Sequence, residues 1–190
     1  MNKIRKIILL LLAPILISSY EYQEAAFSPS APPEISSCWE IHPVVKVCKD
    51  LKISKSRVEK ALDYWRRLGY TFEGVIYDDQ SISCAGKPFF GEIVITIPDQ
   101  GFDYDKIAIT RRTINEDMGM IIYSKIFLQQ NKVTKERVLE HELGHALGWN
   151  HTTIRYHMMN KGWENGGHNS SGLGLKRYQE LYELIKLNRQ

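Results

Sequence analysis

One run of eleven residues constrains this chain more than any other: His141, Glu142, Leu143, Gly144, His145, Ala146, Leu147, Gly148, Trp149, Asn150 and His151. On an α-helix, residues four apart lie one turn above each other, so His141 and His145 share a face and Glu142 projects beside them. Two imidazoles so placed can grip one metal ion. Zinc suits them: it is borderline soft, takes imidazole nitrogen at about 2.0–2.1 Å, and in catalytic sites keeps a position open for water. A third ligand is then required. His151 supplies it only if the helix ends at Gly148, because a continued helix would lift His151 about 15 Å from His141 along the axis. Glycine can take the left-handed conformation that turns the chain back. A lone helical histidine is usually a packing residue, but three His, one Glu and one Gly in this register are no coincidence in a chain with six histidines.

The amino terminus reads separately. Lys3, Arg5 and Lys6 precede an apolar run from Ile7 to Ile17 that ends in Ser18 and Ser19, the layout of a secretory signal peptide over 1–19. At 11 residues and with Pro14 inside it, the run falls short of the roughly 20 needed to span a bilayer. These three residues account for the formal charge of +3: the first 19 residues hold no acid, and the remainder balances 22 basic against 22 acidic side chains. Such a balance argues against a nucleic-acid partner, which calls for a basic patch. Residues 20–37, with Pro29, Pro32 and Pro33, read as an extended leader or a short propeptide. Export to a secreted or periplasmic destination fits the three cysteines Cys38, Cys48 and Cys84, none in a CxxC spacing.

The remainder, 38–190, has the length of one domain. Glu40 to Cys48 is rich in β-branched residues and predicts a first strand, with Pro43 near its start. Ser56 and Glu59 have the spacing of a capping box, and Val58, Ala61, Leu62 and Trp65 recur at helical spacing before Gly69. Tyr70 to Tyr77 and Glu92 to Ile97 read as further strands, separated by a polar loop over 78–87. Lys106 to Thr113 and Met120 to Leu128 read as a hairpin. Thr134 is the expected N-cap of a helix over 135–147, and an amphipathic helix is expected over 175–187. This order argues for a mixed α/β sheet.

The run 141–151 resembles the HExxHxxGxxH zinc signature of the metzincin metalloproteases. Met159, eight residues after His151, stands where that family carries a methionine in a tight turn beneath the metal; Met158 is the alternative. Thr152 follows the third histidine where matrixins have Ser, astacins Glu and adamalysins Asp, which leaves the subfamily open. Lys161 stands where astacins and serralysins have a zinc-linked tyrosine, so that role does not carry over. Cys38, in SSCWE, does not match a cysteine-switch propeptide.

The resemblance implies an α/β (α+β) fold with a twisted five-stranded mixed sheet, two helices, a zinc helix and a small C-terminal subdomain ending in a helix. It implies one catalytic Zn2+ on His141, His145 and His151, with Glu142 as general base and Gly148 and Met159 as structural residues of the site. The substrate implied is a polypeptide held in extended form along the edge strand that carries Ile107, Ile109 and Arg111. If the family plan holds, the first two strands are parallel neighbours. Cys48 and Cys84 then lie at the same edge and form a disulfide, with Cys38 left at the far end. The activity implied is that of a secreted, monomeric zinc endopeptidase, with no membrane association after signal cleavage. Two other readings use the same metal: a zinc hydrolase of a cell-wall or other non-peptide amide, and a zinc-bearing binding protein without turnover. His42 and His168 belong to no ligand-spaced cluster and read as surface or packing residues. Tyr156 and His157 lie near enough in sequence to be weighed as oxyanion donors, below the packing role.

Overall fold

The computed structural model of the chain describes residues 32–187 apart from 101 and 116. The expected signal peptide and most of the expected leader lie outside the described residues. No helix among the described residues is long and apolar enough to cross a membrane. The elements follow in the order β1 (Cys38–Trp39), β2 (Val44–Cys48), α1 (Lys55–Arg66), β3 (Gly74–Asp79), α2 (Ile82–Ala85), β4 (Glu92–Thr96), β5 (Ala108–Asn115), β6 (Met120–Leu128), α3 (Val138–Ala146) and α4 (Leu175–Leu187).

The architecture is mixed α/β with a mostly parallel sheet. β3, β2, β4 and β6 follow one another in parallel, and β5 adds to the outer side of β6 antiparallel, with Ala108 opposite Leu128 and Asn115 opposite Met120. These are the five strands expected, and a sixth is added: β1 pairs with the start of β6 through Cys38 and Trp39. The strand expected over 40–48 is therefore shortened to β2, and β1 lies just before it. Pro43 lacks an N–H, so the β2 ladder can begin only at Val44, and the chain bends at Glu40 and Ile41 to reach it.

β4 is buried along its whole length, as a strand covered on both faces must be. α1 and α3 supply one cover. Val58, Ala61, Leu62 and Trp65 of α1 are buried, as their spacing predicts, together with Leu139, Leu143 and Ala146 of α3. Arg57 of α1 grips Glu140 of α3 through two bonds of 2.9 and 2.6 Å, and the Trp65 indole donates to the Glu140 carbonyl at 2.8 Å. The helix that carries His141 and His145 is thereby fixed against the core from its first turn. Cys48 at the end of β2 and Cys84 on α2 form the expected disulfide, with Cα atoms 5.7 Å apart. Cys38 is buried in β1.

Two helix starts differ from expectation. α1 begins at Lys55 because Ser54, not Ser56, has the extended conformation of a cap and accepts from the Arg57 N–H at 3.2 Å. Glu59 closes no capping box, being held by Arg66 at 2.7 Å and by the Tyr77 hydroxyl. α3 begins three residues late, at Val138. The carbonyls of Lys135 and Glu136 are taken by the side chains of Arg57 and Trp163, and Arg137 lies in the left-handed region at φ 66°. These tertiary bonds satisfy groups that a longer helix would have used itself.

Candidate metal centre

α3 presents His141 and His145 on one face, their ring centroids 4.7 Å apart. The helix stops after Ala146, and Gly148 turns the chain at φ 109°. A Cβ at Gly148 would lie 1.9 Å from the Ser37 carbonyl oxygen, so both the conformation and the space demand glycine. Beyond the turn, 148–150 is held by the segment just before β1. The Ser36 N–H donates to Gly148, the Asn150 N–H donates to Glu34, and Ile35 bridges to Trp149. Residues assigned by sequence to the leader thus pair with the turn that brings His151 back.

The three histidines meet. Their Nε2 atoms form a triangle with sides of 3.1, 3.1 and 3.0 Å. The Nδ1 of His141 lies 2.7 Å from the Met158 carbonyl oxygen, and that of His145 lies 2.8 Å from the Trp149 carbonyl. A carbonyl can only accept, so each ring carries its proton on Nδ1 and turns a bare Nε2 lone pair toward the centre. Lone pairs brought this close repel unless a cation lies among them. Bonds of about 2.0–2.1 Å at tetrahedral angles would separate ligand atoms by about 3.3 Å, close to the observed triangle. Among the described residues this is the one group of three or more His, Cys, Asp or Glu side chains disposed to hold a metal ion. Burial, with the neighbouring rings adding to it, lowers the pKa of His141 to about 4 and that of His145 to about 3, against the pull of the carbonyl bonds. His151 is lowered too, by burial and by Lys161. All three are therefore neutral, and able to ligate, at physiological pH.

Glu142 lies beside this triangle and is not part of it. Its carboxylate is buried, and the Thr110 hydroxyl of β5 lies 2.6 Å from Oε2 and 3.1 Å from the Glu142 carbonyl oxygen. Burial raises its pKa to about 7, with the Thr110 bond acting in the opposite sense. A cation within the triangle would draw it back down. Histidines and glutamate open on a cleft of about 600 Å³ between β5, α3 and the segment around 158–166.

Beneath α3, Met159 is fully buried, and a Cβ on Gly144 would come within 2.3 Å of its sulfur and 2.7 Å of Trp65. Gly144 is thus the point where the helix lies flat on the methionine. Met158 takes the other part, lending its carbonyl to His141. His157 is fully buried: its Nδ1 accepts the Met159 N–H at 3.0 Å and its Nε2 donates to the Ser171 carbonyl at 3.0 Å, so it holds the methionine turn and offers nothing to the cleft. Tyr156 is exposed, as are His42 and His168. Of the three edge-strand residues expected to meet a substrate, Ile107 and Ile109 line the cleft. Arg111 does not: it reaches Asp99 at 3.1 Å and lies over Phe127. Thr110 and Arg112 line the cleft in its place, and sequence reasoning missed both. The period of two along β5 separates them from Arg111 once one contact of the strand is known. No protein-family model matches this chain, and a search of curated proteins finds no match.

Proposed function

We propose that this chain is a secreted zinc-dependent endopeptidase of the metzincin kind. The observation that carries the reading is the convergence in one cleft of three histidine Nε2 atoms, a buried carboxylate at Glu142 and the edge strand β5, whose Thr110 holds that carboxylate. His141, His145 and His151 would hold the ion. Their neutral imidazoles match the preference of zinc for nitrogen donors and leave an open side toward the cleft. When bound, zinc supplies the Lewis acidity that makes water nucleophilic near neutral pH and polarises a carbonyl.

The remaining steps belong to side chains and main chain. Glu142 accepts a proton from the attacking water and hands it to the departing amine, serving as base and then acid. Thr110 fixes the rotamer that allows both. β5 pairs with β6 as its one partner among the described strands, so an extended polypeptide can add along its other edge as a further strand and lie across the triad. The Cys48–Cys84 disulfide agrees with an oxidising destination, as does the apolar run near the amino terminus.

The test is Glu142→Gln with zinc content measured alongside activity. We expect peptide hydrolysis to fall by roughly a thousandfold or more while one zinc per chain is retained, because the carboxylate acts as base and not as ligand. Substantial turnover in the zinc-loaded variant would refute the assignment. Intact peptide substrates beside cleavage of peptidoglycan fragments would redirect the same site to a non-peptide amide.

A further inference from the structure

Arg112 follows Thr110 by two residues on β5, which places both side chains on one face about 6.6 Å apart along the strand. It lines the cleft with His145 and is half-buried. Its Nη2 donates to the Asn150 side-chain oxygen at 3.4 Å, and its Nη1 is buried with no hydrogen-bond partner. Among the described residues no carboxylate pairs with it. Burial acts against its charge. Arg57 is held by Glu140, Arg66 by Glu59 and Asp63, and Arg111 by Asp99, while Arg137 and Arg177 donate to main-chain carbonyls; among the described arginines Arg112 alone keeps a buried nitrogen without a hydrogen-bond partner. A desolvated cation left with an unused donor is costly, and folded proteins keep one where a ligand supplies the missing charge.

The surroundings point to the sign of that ligand. Although the chain beyond its first 19 residues is electrically balanced, the cleft is not. Lys106, Arg112, Arg137 and Lys161 line it against Asp105 and Glu142. A planar guanidinium with a free N–H is the geometry that receives a carboxylate.

We propose that Arg112 is a specificity-determining residue that receives a carboxylate of the bound polypeptide; this rests on the peptidase reading above. In an extended peptide along β5, that carboxylate belongs to the residue two positions from the one opposite Thr110. It comes either from an internal acidic side chain or from the free carboxyl terminus of a short peptide.

Matched fluorogenic peptides separate these sources: end-capped peptides with Glu or Gln at successive positions around the scissile bond, and a Gln peptide with a free or an amidated carboxyl terminus. With the zinc-loaded full chain, one carboxylate-bearing peptide should exceed its neutral partner in kcat/KM by about tenfold or more, an advantage that shrinks as salt rises. In Arg112→Gln the ratio should fall toward one, in Arg112→Glu a Lys peptide should become the better substrate, and Arg112→Lys should keep part of the preference. A ratio near one in the unaltered protein, or one unchanged in Arg112→Gln, overturns the proposal. Should the variants fail to fold, the ratio in the unaltered protein and its salt dependence still decide. If no peptide is cleaved, the peptidase reading fails, and fluorescence anisotropy of the same peptides judges Arg112 separately. Tighter binding of the acidic peptide, lost in Arg112→Gln, would sustain the carboxylate site; equal affinities would remove it.

Discussion

Three of the four side chains proposed to act at this site are each oriented by one polar partner: His141 by the Met158 carbonyl, His145 by the Trp149 carbonyl and Glu142 by the Thr110 hydroxyl. The last of these gives a residue-scale prediction. Thr110→Val keeps the shape of the strand and removes the one hydroxyl bonded to the Glu142 carboxylate, so kcat should fall about tenfold with KM little changed. That bond lowers the Glu142 pKa, so its loss should also move the acidic limb of the pH profile to higher pH. A purely structural role would leave the limb in place. At this scale the sequence was legible where register is fixed by one helix, as for His141, Glu142 and His145. Thr110 and Arg112 were not legible, because their roles depend on which face of β5 turns toward α3. That is decided by packing between elements more than thirty residues apart.

At the scale of elements, the turn after α3 bears most on the site. Gly148→Ala would force a side chain into a left-handed position and drive its Cβ against the Ser37 carbonyl. We expect a loss of roughly 3 kcal/mol in urea unfolding of the metal-free protein, with zinc affinity reduced because His151 rides on that turn. Stability within about 0.5 kcal/mol of the parent would show that the turn relaxes freely. The limits of β6 and α4 were readable from sequence, since β6 is a run rich in β-branched and aromatic residues and α4 carries an amphipathic stripe. The starts of α1 and α3 were not. Ser54 and Ser56 are both competent caps, and α3 is shortened by Arg57 and Trp163 reaching in from other parts of the chain. Local signals cannot register such bonds.

For the whole molecule, the buried ionisable groups of the metal-free protein set a pH dependence with opposed contributions. His141 and His145, lowered to about 4 and 3, refuse protons that the unfolded chain takes up below pH 6.5, so they cost stability as pH falls through that value. Glu142, raised to about 7, keeps a proton that the unfolded chain releases above 4.5, so it costs stability as pH rises from 4.5 toward 7. Two histidines outweigh one carboxylate between pH 6.5 and 5, and the lowered pKa values of His151 and His157 act in the histidines' direction. Urea unfolding of chelator-treated protein should therefore show lower stability at pH 5 than at pH 6.5; equal or greater stability at pH 5 would contradict this balance. The pairing of residues 34–36 with 148–150 has a consequence in time. The Ser36 hydroxyl and the Gly148 carbonyl that it meets are 112 residues apart in the chain, an interval the ribosome takes roughly 5–20 s to cover. The segment that braces the turn before His151 thus waits that long for its partner, so an ion held by all three histidines could enter only after the chain has grown past residue 151.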